Sequence, residues 1–276
     1  MSETIAIIAG SGRFPFDVAQ EARRQGVETI VIGLQGWADA ALAAQMGVPY
    51  EEVAVGQLGR LMASLKAHGA RQAIMAGKVT KEVLLDPRAT FDAETLSILS
   101  QVRDVSVGSL LGAVAQRLAK EGITLLDSST FLRANLCPVG VLTARGPTPR
   151  EQADIAIGMQ AARAIAALDI GQTVMVKERV VVAVEALEGT DAAIQRASIL
   201  AGPGLVVVKT ASPNHDRRFD LPIIGLNTIE TLTQAHVTCV AVEAGVTILL
   251  DRATLLAAAN KADLCVVGMA VDDSTS

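Results

Sequence analysis

Thr4-Ile5-Ala6-Ile7-Ile8-Ala9-Gly10-Ser11-Gly12-Arg13-Phe14-Pro15-Phe16 is the stretch that decides the fold. Thr4 to Ala9 is a short apolar run, of the kind a parallel sheet buries on both faces. Gly10-Ser11-Gly12 ends it, a helical pattern follows from Phe16 to Gln25, and a second strand reads from Glu28 to Ile32. Strand, tight turn, helix and strand in this order open a βαβ unit. The turn carries the first two glycines of a dinucleotide fingerprint, but Pro15 stands where the third would be. Small residues ahead of a helix N-terminus expose backbone N–H groups to a phosphate or another polar ligand. They also suit a tight turn that binds nothing, and the sequence leaves both readings of Gly10, Ser11 and Gly12 open.

The alternation continues outward. Helices are expected near Leu58 to His68, Ala93 to Val102 and Leu110 to Glu121, with strands at Ala73 to Ala76 and Thr124 to Leu126. This half is therefore α/β with a mainly parallel, Rossmann-like sheet. Between Arg133 and Arg150 the pattern loosens into RANLCPVGVLTARGPTPR, which reads as an interdomain connection. A helix from about Arg150 to Leu168 and a further alternation to Val267 make the second half α/β as well. The expected division is residues 1–133 for the N-terminal domain and 134–276 for a C-terminal domain that carries the acidic motifs.

Composition narrows the function. The chain has 276 residues, half of them hydrophobic, which is ample for two cores. Aromatics are 3% and the net charge is −5, with no basic run, so stacking platforms and phosphate-backbone binding are disfavoured and no nucleic-acid partner is expected. Cys137, Cys239 and Cys265 have no CxxC spacing and read as small buried hydrophobes. The opening MSETIAIIAG has no basic n-region or cleavage site, and no apolar run approaches membrane-spanning length. The expected location is cytoplasmic, with peripheral contact on a membrane surface left open.

Two clusters carry the chemistry. Asp216-Arg217-Arg218-Phe219-Asp220-Leu221-Pro222 sets two carboxylates beside two guanidinium groups ahead of a turn. Arginine forks suit phosphate oxygens, and adjacent carboxylates suit a divalent cation or a general base. The alternative is a solvated loop held by its own ion pairs. The second cluster brackets two strands, Thr173 to Val176 and Val180 to Val184, with Gln172 before them and Glu185, Glu188, Thr190 and Asp191 after. Thr190 or Asp191 suits a cap for a helix starting near Ala192. Glu185 ends a Val and Ala run expected to be buried, where a carboxylate needs a cation or a donor. Lys78 and Val79 follow another strand, at the sheet end where open α/β folds place ligands.

Other chemistries lack their residues. His68, His215 and His236 form no zinc spacing, and there is no GxSxG elbow and no GxxxxGK[ST] loop. What remains is a site of carboxylates and arginines suited to Mg²⁺ and phosphate.

Taken in order, the strings IAGSGRFP, AGKV, CPVGVLT, the run from Leu168 to Ala197 and the run from Val207 to Glu230 resemble LpxI-type UDP-2,3-diacylglucosamine pyrophosphatases of lipid A biosynthesis. The likeness covers nearly the whole chain. It implies a two-domain, Mg²⁺-dependent enzyme that releases UMP and 2,3-diacylglucosamine 1-phosphate, with water attacking the phosphorus nearer the sugar. Asp216 and Asp220 stand where the family's essential acids stand, and are expected as catalytic residues and metal ligands. Glu185, Glu188 and Asp191 complete the expected metal set. Gly10, Ser11, Gly12, Lys78, Val79, Gln172, Thr190, Arg217 and Arg218 are expected to bind substrate. Ser212 and His215 replace a Lys and a Gln frequent in the family. A non-catalytic nucleotide-sugar or lipid-binding module is the alternative reading, and a nicotinamide oxidoreductase on the GSGRFP turn a weaker third. The expected partner is the UDP-diacylglucosamine lipid, and a homodimer is left open.

Overall fold

The computed structural model describes residues 4–79, 90–102, 107–212, 216–219 and 221–270. By contact the chain divides into two compact units. One is Met1–Leu132 with Asp216–Asp220, the other Arg133–His215 with Leu221–Ser276.

The first unit is built on a five-stranded, wholly parallel sheet in the order β3-β2-β1-β4-β5. Its strands are β1 (Ile5–Ala9), β2 (Thr29–Leu34), β3 (Tyr50–Val53), β4 (Gln72–Ala76) and β5 (Thr124–Leu125). This is a Rossmann-like arrangement, with β1 between β2 and β4. Helix α1 (Phe14–Arg24) buries Phe14, Phe16, Val18, Ala19 and Ala22. Pro15 lies in its first turn, where a missing N–H costs nothing, so the residue that broke the fingerprint starts the helix instead. Helices α2 (Ala40–Gln45), α3 (Leu58–Ala67), α4 (Ala93–Gln101) and α5 (Val107–Lys120) complete the described part of this unit. Sequence patterning passes over α2 and β3. Tyr50–Val53 is an edge strand, with Val53 its one buried residue and Glu51 and Glu52 in its middle, so it lacks an apolar signature.

The second unit holds a six-stranded mixed sheet in the order β6-β13-β11-β9-β7-β8. Its members are β6 (Gly140–Val141), β7 (Thr173–Lys177), β8 (Val180–Val184), β9 (Val206–Lys209), β11 (Cys239–Glu243) and β13 (Cys265–Met269). β9, β11 and β13 run parallel, and β6, β7 and β8 pair antiparallel. A small parallel pair, β10 (Ile223–Ile224) with β12 (Ile248–Leu249), lies outside it. The stretch read as a connection thus contributes β6, paired with β13 at the sheet edge.

Helix α6 (Pro149–Ala167) covers one face, with Ile155 and Ala162 packed on Val174, Val176, Val206 and Val208. A Cβ at Gly158 would stand 2.4 Å from Val208 Cγ2, so glycine sets how closely this helix approaches the sheet. On the other face lie α7 (Thr190–Ala201), α8 (Leu226–Gln234) and α9 (Arg252–Lys261), contributing Ile194, Ile229 and Leu255. The β7–β8 hairpin turns through Glu178 and Arg179 at φ 51° and 64°. Such left-handed pairs usually hold Asn-Gly. Here the buried Asp154 of α6 accepts both turn amides, from Glu178 at 3.2 Å and Arg179 at 2.5 Å. β8 is the free edge, so Val180 and Val181, expected to be buried, are exposed.

Candidate active site

At the carboxyl end of the first sheet the turns after β1 and β4 cross. Gly10 N–H donates to Ala76 O at 2.8 Å, Ser11 N–H to Lys78 O at 2.8 Å, and Lys78 N–H to Ser11 O at 3.1 Å. Ser11 Oγ also donates to Lys78 O. A Cβ on Gly10 would lie 2.5 Å from Lys78 O, and Gly77 takes φ +89° with Ser11 O where a Cβ would go. Only glycine tolerates that approach. Two of the amides expected to face an anion therefore have internal partners. Lys78 is exposed and Val79 half-buried.

The Asp216–Phe219 turn belongs to this same unit. Phe219 packs with the core that contains Ile8, Ile32 and Leu118. Ser128 N–H donates to Arg217 O at 3.0 Å, and Ser128 Oγ lies 2.7 Å from Met75 O and 2.9 Å from Arg218 O. Asp216, Arg217 and Arg218 are thereby held beside the end of β4, on the side of the sheet that carries Ser11 and Lys78. Within the turn Arg218 grips Asp216, with Nε 2.9 Å from Oδ1 and Nη2 2.5 Å from Oδ2. Hydrogen bonding to Asp216 pushes the Arg218 pKa up further. The guanidinium also stacks over Phe219 at 5.0 Å. Arg217 is exposed. Asp220 and His215 lie outside the described residues.

The second cluster gathers in the other unit, around the ends of β7, β8 and β9. Glu185 is buried, and its Oε1 accepts from Thr190 Oγ1 at 2.7 Å, its Oε2 from the Gln172 amide at 3.4 Å. Lys209, also buried, reaches Thr190 Oγ1 at 3.0 Å, Thr173 Oγ1 at 3.2 Å and Glu185 Oε2 at 3.9 Å. Burial pushes the Glu185 carboxyl up, but Lys209, Thr173, Thr190 and the Gln172 amide together outweigh it and hold it below the usual range. Neither Thr190 nor Asp191 caps α7. Gly189 is the N-cap and has no side chain to bond with, while the Thr190 hydroxyl, in the first helical position, donates to Glu185. Asp191 is exposed in the first turn, and Glu188 accepts from the Ala186 amide and pairs with Arg196 at 2.5 Å.

The expected site residues thus form two groups. Gly10, Ser11, Lys78 and Asp216 to Arg218 share one sheet end, while Gln172, Glu185 and Thr190 share another, with Glu188 and Asp191 beside them. Among the described residues no three His, Cys, Asp or Glu side chains gather as a metal site. Of the expected metal ligands, Asp216 is held by Arg218, Glu185 by Thr190 and Lys209, and Glu188 by Arg196, while Asp191 is exposed and Asp220 lies outside the described residues. Sequence reasoning missed two residues. Lys209 carried a signal, a cation closing a run of three valines, but Ser128 in Asp127-Ser128-Ser129 carried none.

The fold and these clusters define an α/β protein of two units with cationic and acidic groups at its sheet ends. Residues 4–134 match the LpxI N-terminal domain and residues 138–267 the LpxI C-terminal domain. The chain belongs to the LpxI family. It is 31% identical to the UDP-2,3-diacylglucosamine pyrophosphatase LpxI of Caulobacter vibrioides, over 96% of this chain and 97% of that protein. Among solved structures, the precorrin-6A reductase CobK is 15% identical and covers all of this chain and 91% of its own, at a TM-score of 0.29, too low to carry an argument.

Proposed function

We propose that this protein hydrolyses the pyrophosphate bond of UDP-2,3-diacylglucosamine to UMP and 2,3-diacylglucosamine 1-phosphate, a step of lipid A biosynthesis. The observation that carries the reading is family membership together with a relative of that printed activity, matched along nearly the full length of both chains. The site chemistry agrees with it. Arg217, Arg218 and Lys78 supply positive charge for phosphoryl oxygens. Asp220 and Asp216 are the proposed catalytic carboxylates, taking up the proton of the attacking water as its oxygen bonds to phosphorus and the anhydride bond breaks. Gln172 and Thr190, beside the buried Glu185 and Lys209, are the proposed substrate contacts of the second unit, and Gly10 to Gly12 and Val79 those of the first.

A Mg²⁺ requirement is part of the proposal on the strength of the family resemblance, and no step is routed through the ion. Cytoplasmic location with peripheral contact at a membrane is part of the proposal, and the two acyl chains of the substrate support the membrane contact. Among the described residues no helix is long and apolar enough to cross a membrane. A homodimer is supported by the outward Val180 and Val181 of the free edge strand.

The alternative, a non-catalytic nucleotide-sugar or lipid-binding module, draws on the internal pairing of Asp216 and Glu185. Incubation of the purified protein with UDP-2,3-diacylglucosamine and Mg²⁺ separates the two readings. UMP release is expected, abolished by EDTA and reduced on the order of a hundredfold or more in Asp220→Asn. Saturable binding without UMP would establish the module.

A further inference from the structure

Ser128 is 2% exposed and immediately follows Asp127, whose carboxylate accepts from the Ser129 amide at 2.7 Å and the Ser129 hydroxyl at 2.6 Å. Asp127 O also accepts from Thr130, so the turn that carries Ser128 is braced from within. From this base Ser128 makes three contacts with main-chain carbonyls. Its N–H bonds Arg217 O, and its single hydroxyl proton lies between Arg218 O and Met75 O. Two consecutive peptide groups of the arginine turn are thus fixed to β4 by one small side chain and its amide. Arg217 and Arg218 themselves are long and flexible. Their charge is useful at a phosphoryl group only if the backbone beneath them is held.

We propose that Ser128 is a positioning residue for the reaction, holding the Asp216–Phe219 turn at the carboxyl end of the first sheet so that Arg217 and Arg218 meet the substrate's phosphates. This rests on the pyrophosphatase reading. It acts through the turn and touches no substrate. Ser128→Ala removes the hydroxyl, leaves the two carbonyls short of a donor and keeps the backbone N–H bond.

The test uses the full-length protein with two readouts. For Ser128→Ala, kcat for UMP release is expected to fall on the order of ten- to a hundredfold with KM within about threefold of wild type. Trypsin cleavage after Arg217 or Arg218 is expected to quicken on the order of tenfold while other sites keep their rates. Ser128→Cys, similar in size with a weaker donor, should lie between the two in both readouts. Unchanged kcat and unchanged cleavage overturn the proposal, as does cleavage that accelerates equally at every site. If Ser128→Ala does not fold, Ser128→Cys decides by the same two readouts, and wild-type values in both overturn it. Wild-type protein that releases no UMP defeats the pyrophosphatase reading instead, and the trypsin pattern then still decides whether Ser128 holds the turn.

Discussion

Lys209 Nζ and Glu185 Oε2 lie 3.9 Å apart, both residues buried, with the Thr190 hydroxyl donating to the carboxylate and accepting from the ammonium. A buried pair of this kind adds little over apolar packing, yet breaking it strands one charge. It ties the first turn of α7 to the end of β9.

Lys209→Met is therefore expected to destabilise the protein by about 3–5 kcal/mol, measured by urea unfolding. Most of that loss should return in Lys209→Met with Glu185→Gln, where no carboxylate is left unpaired. In the wild type the Glu185 pKa lies below its ordinary value, so its contribution is present above the usual carboxylate range and fades as pH falls through the folded pKa. A cost under 1 kcal/mol at neutral pH would show that the pair carries no stability.

A second ion pair sets acid sensitivity away from the candidate site. Arg145 Nη1 and Nη2 each lie 3.0 Å from a Glu151 oxygen, and Glu151 closes a capping box with Thr148 at the start of α6. Burial raises the Glu151 pKa, but Arg145 and Thr148 prevail and bring it down to about 2. Its stabilisation is thus complete above the ordinary value of 4.5 and is lost as pH drops toward 2. Glu151→Gln should cost on the order of 2–3 kcal/mol at pH 7, and the gap from wild type should close between pH 4.5 and 2 in thermal melts. A gap independent of pH would assign the loss to packing.

Asp216→Asn removes the charged partner of Arg218 while keeping an acceptor for its backbone amide. The expected result is a kcat reduced on the order of tenfold or more at every Mg²⁺ concentration, because the proposed proton acceptor is lost and the arginine loses its fixed orientation. Restoration of wild-type kcat by excess Mg²⁺ would make Asp216 a metal ligand instead.

The site of attack leaves an isotopic record. Attack at either phosphorus gives UMP and the sugar phosphate, so product identity is silent. On the proposal that Arg217 and Arg218 surround the phosphoryl group nearer the sugar, hydrolysis in ¹⁸O-labelled water should place the label in 2,3-diacylglucosamine 1-phosphate. Mass spectrometry showing the label in UMP would reverse the assignment.

Local patterning was sufficient for the α/β class and for most elements. The apolar run of Ile5 to Ala9, the helical spacing after Phe14 and the small residues between them carry their structure within a few residues of chain. Charged residues at strand ends, such as Lys78, Glu185 and the arginines after Asp216, were legible as candidates for the same reason, since a carboxylate or cation closing an apolar run stands out. Strand order was not legible. β8 reads as a buried strand because valine spacing records a preference for β structure, while exposure of Val180 and Val181 depends on β8 having a neighbour on one side only. Partnership was equally hidden. Glu185 meets Lys209 across 24 positions, and Arg217 and Arg218 meet Ser128 across about 90, contacts that arise when β9 settles beside β7 and when Phe219 finds the core of the first unit. Sequence determined which residues can form strands, helices and charged ends, because those choices are made by neighbours in the chain. Only the tertiary structure decided which charge each end faces and which unit holds the arginine turn, because burial and long-range hydrogen bonding depend on segments far apart in the chain.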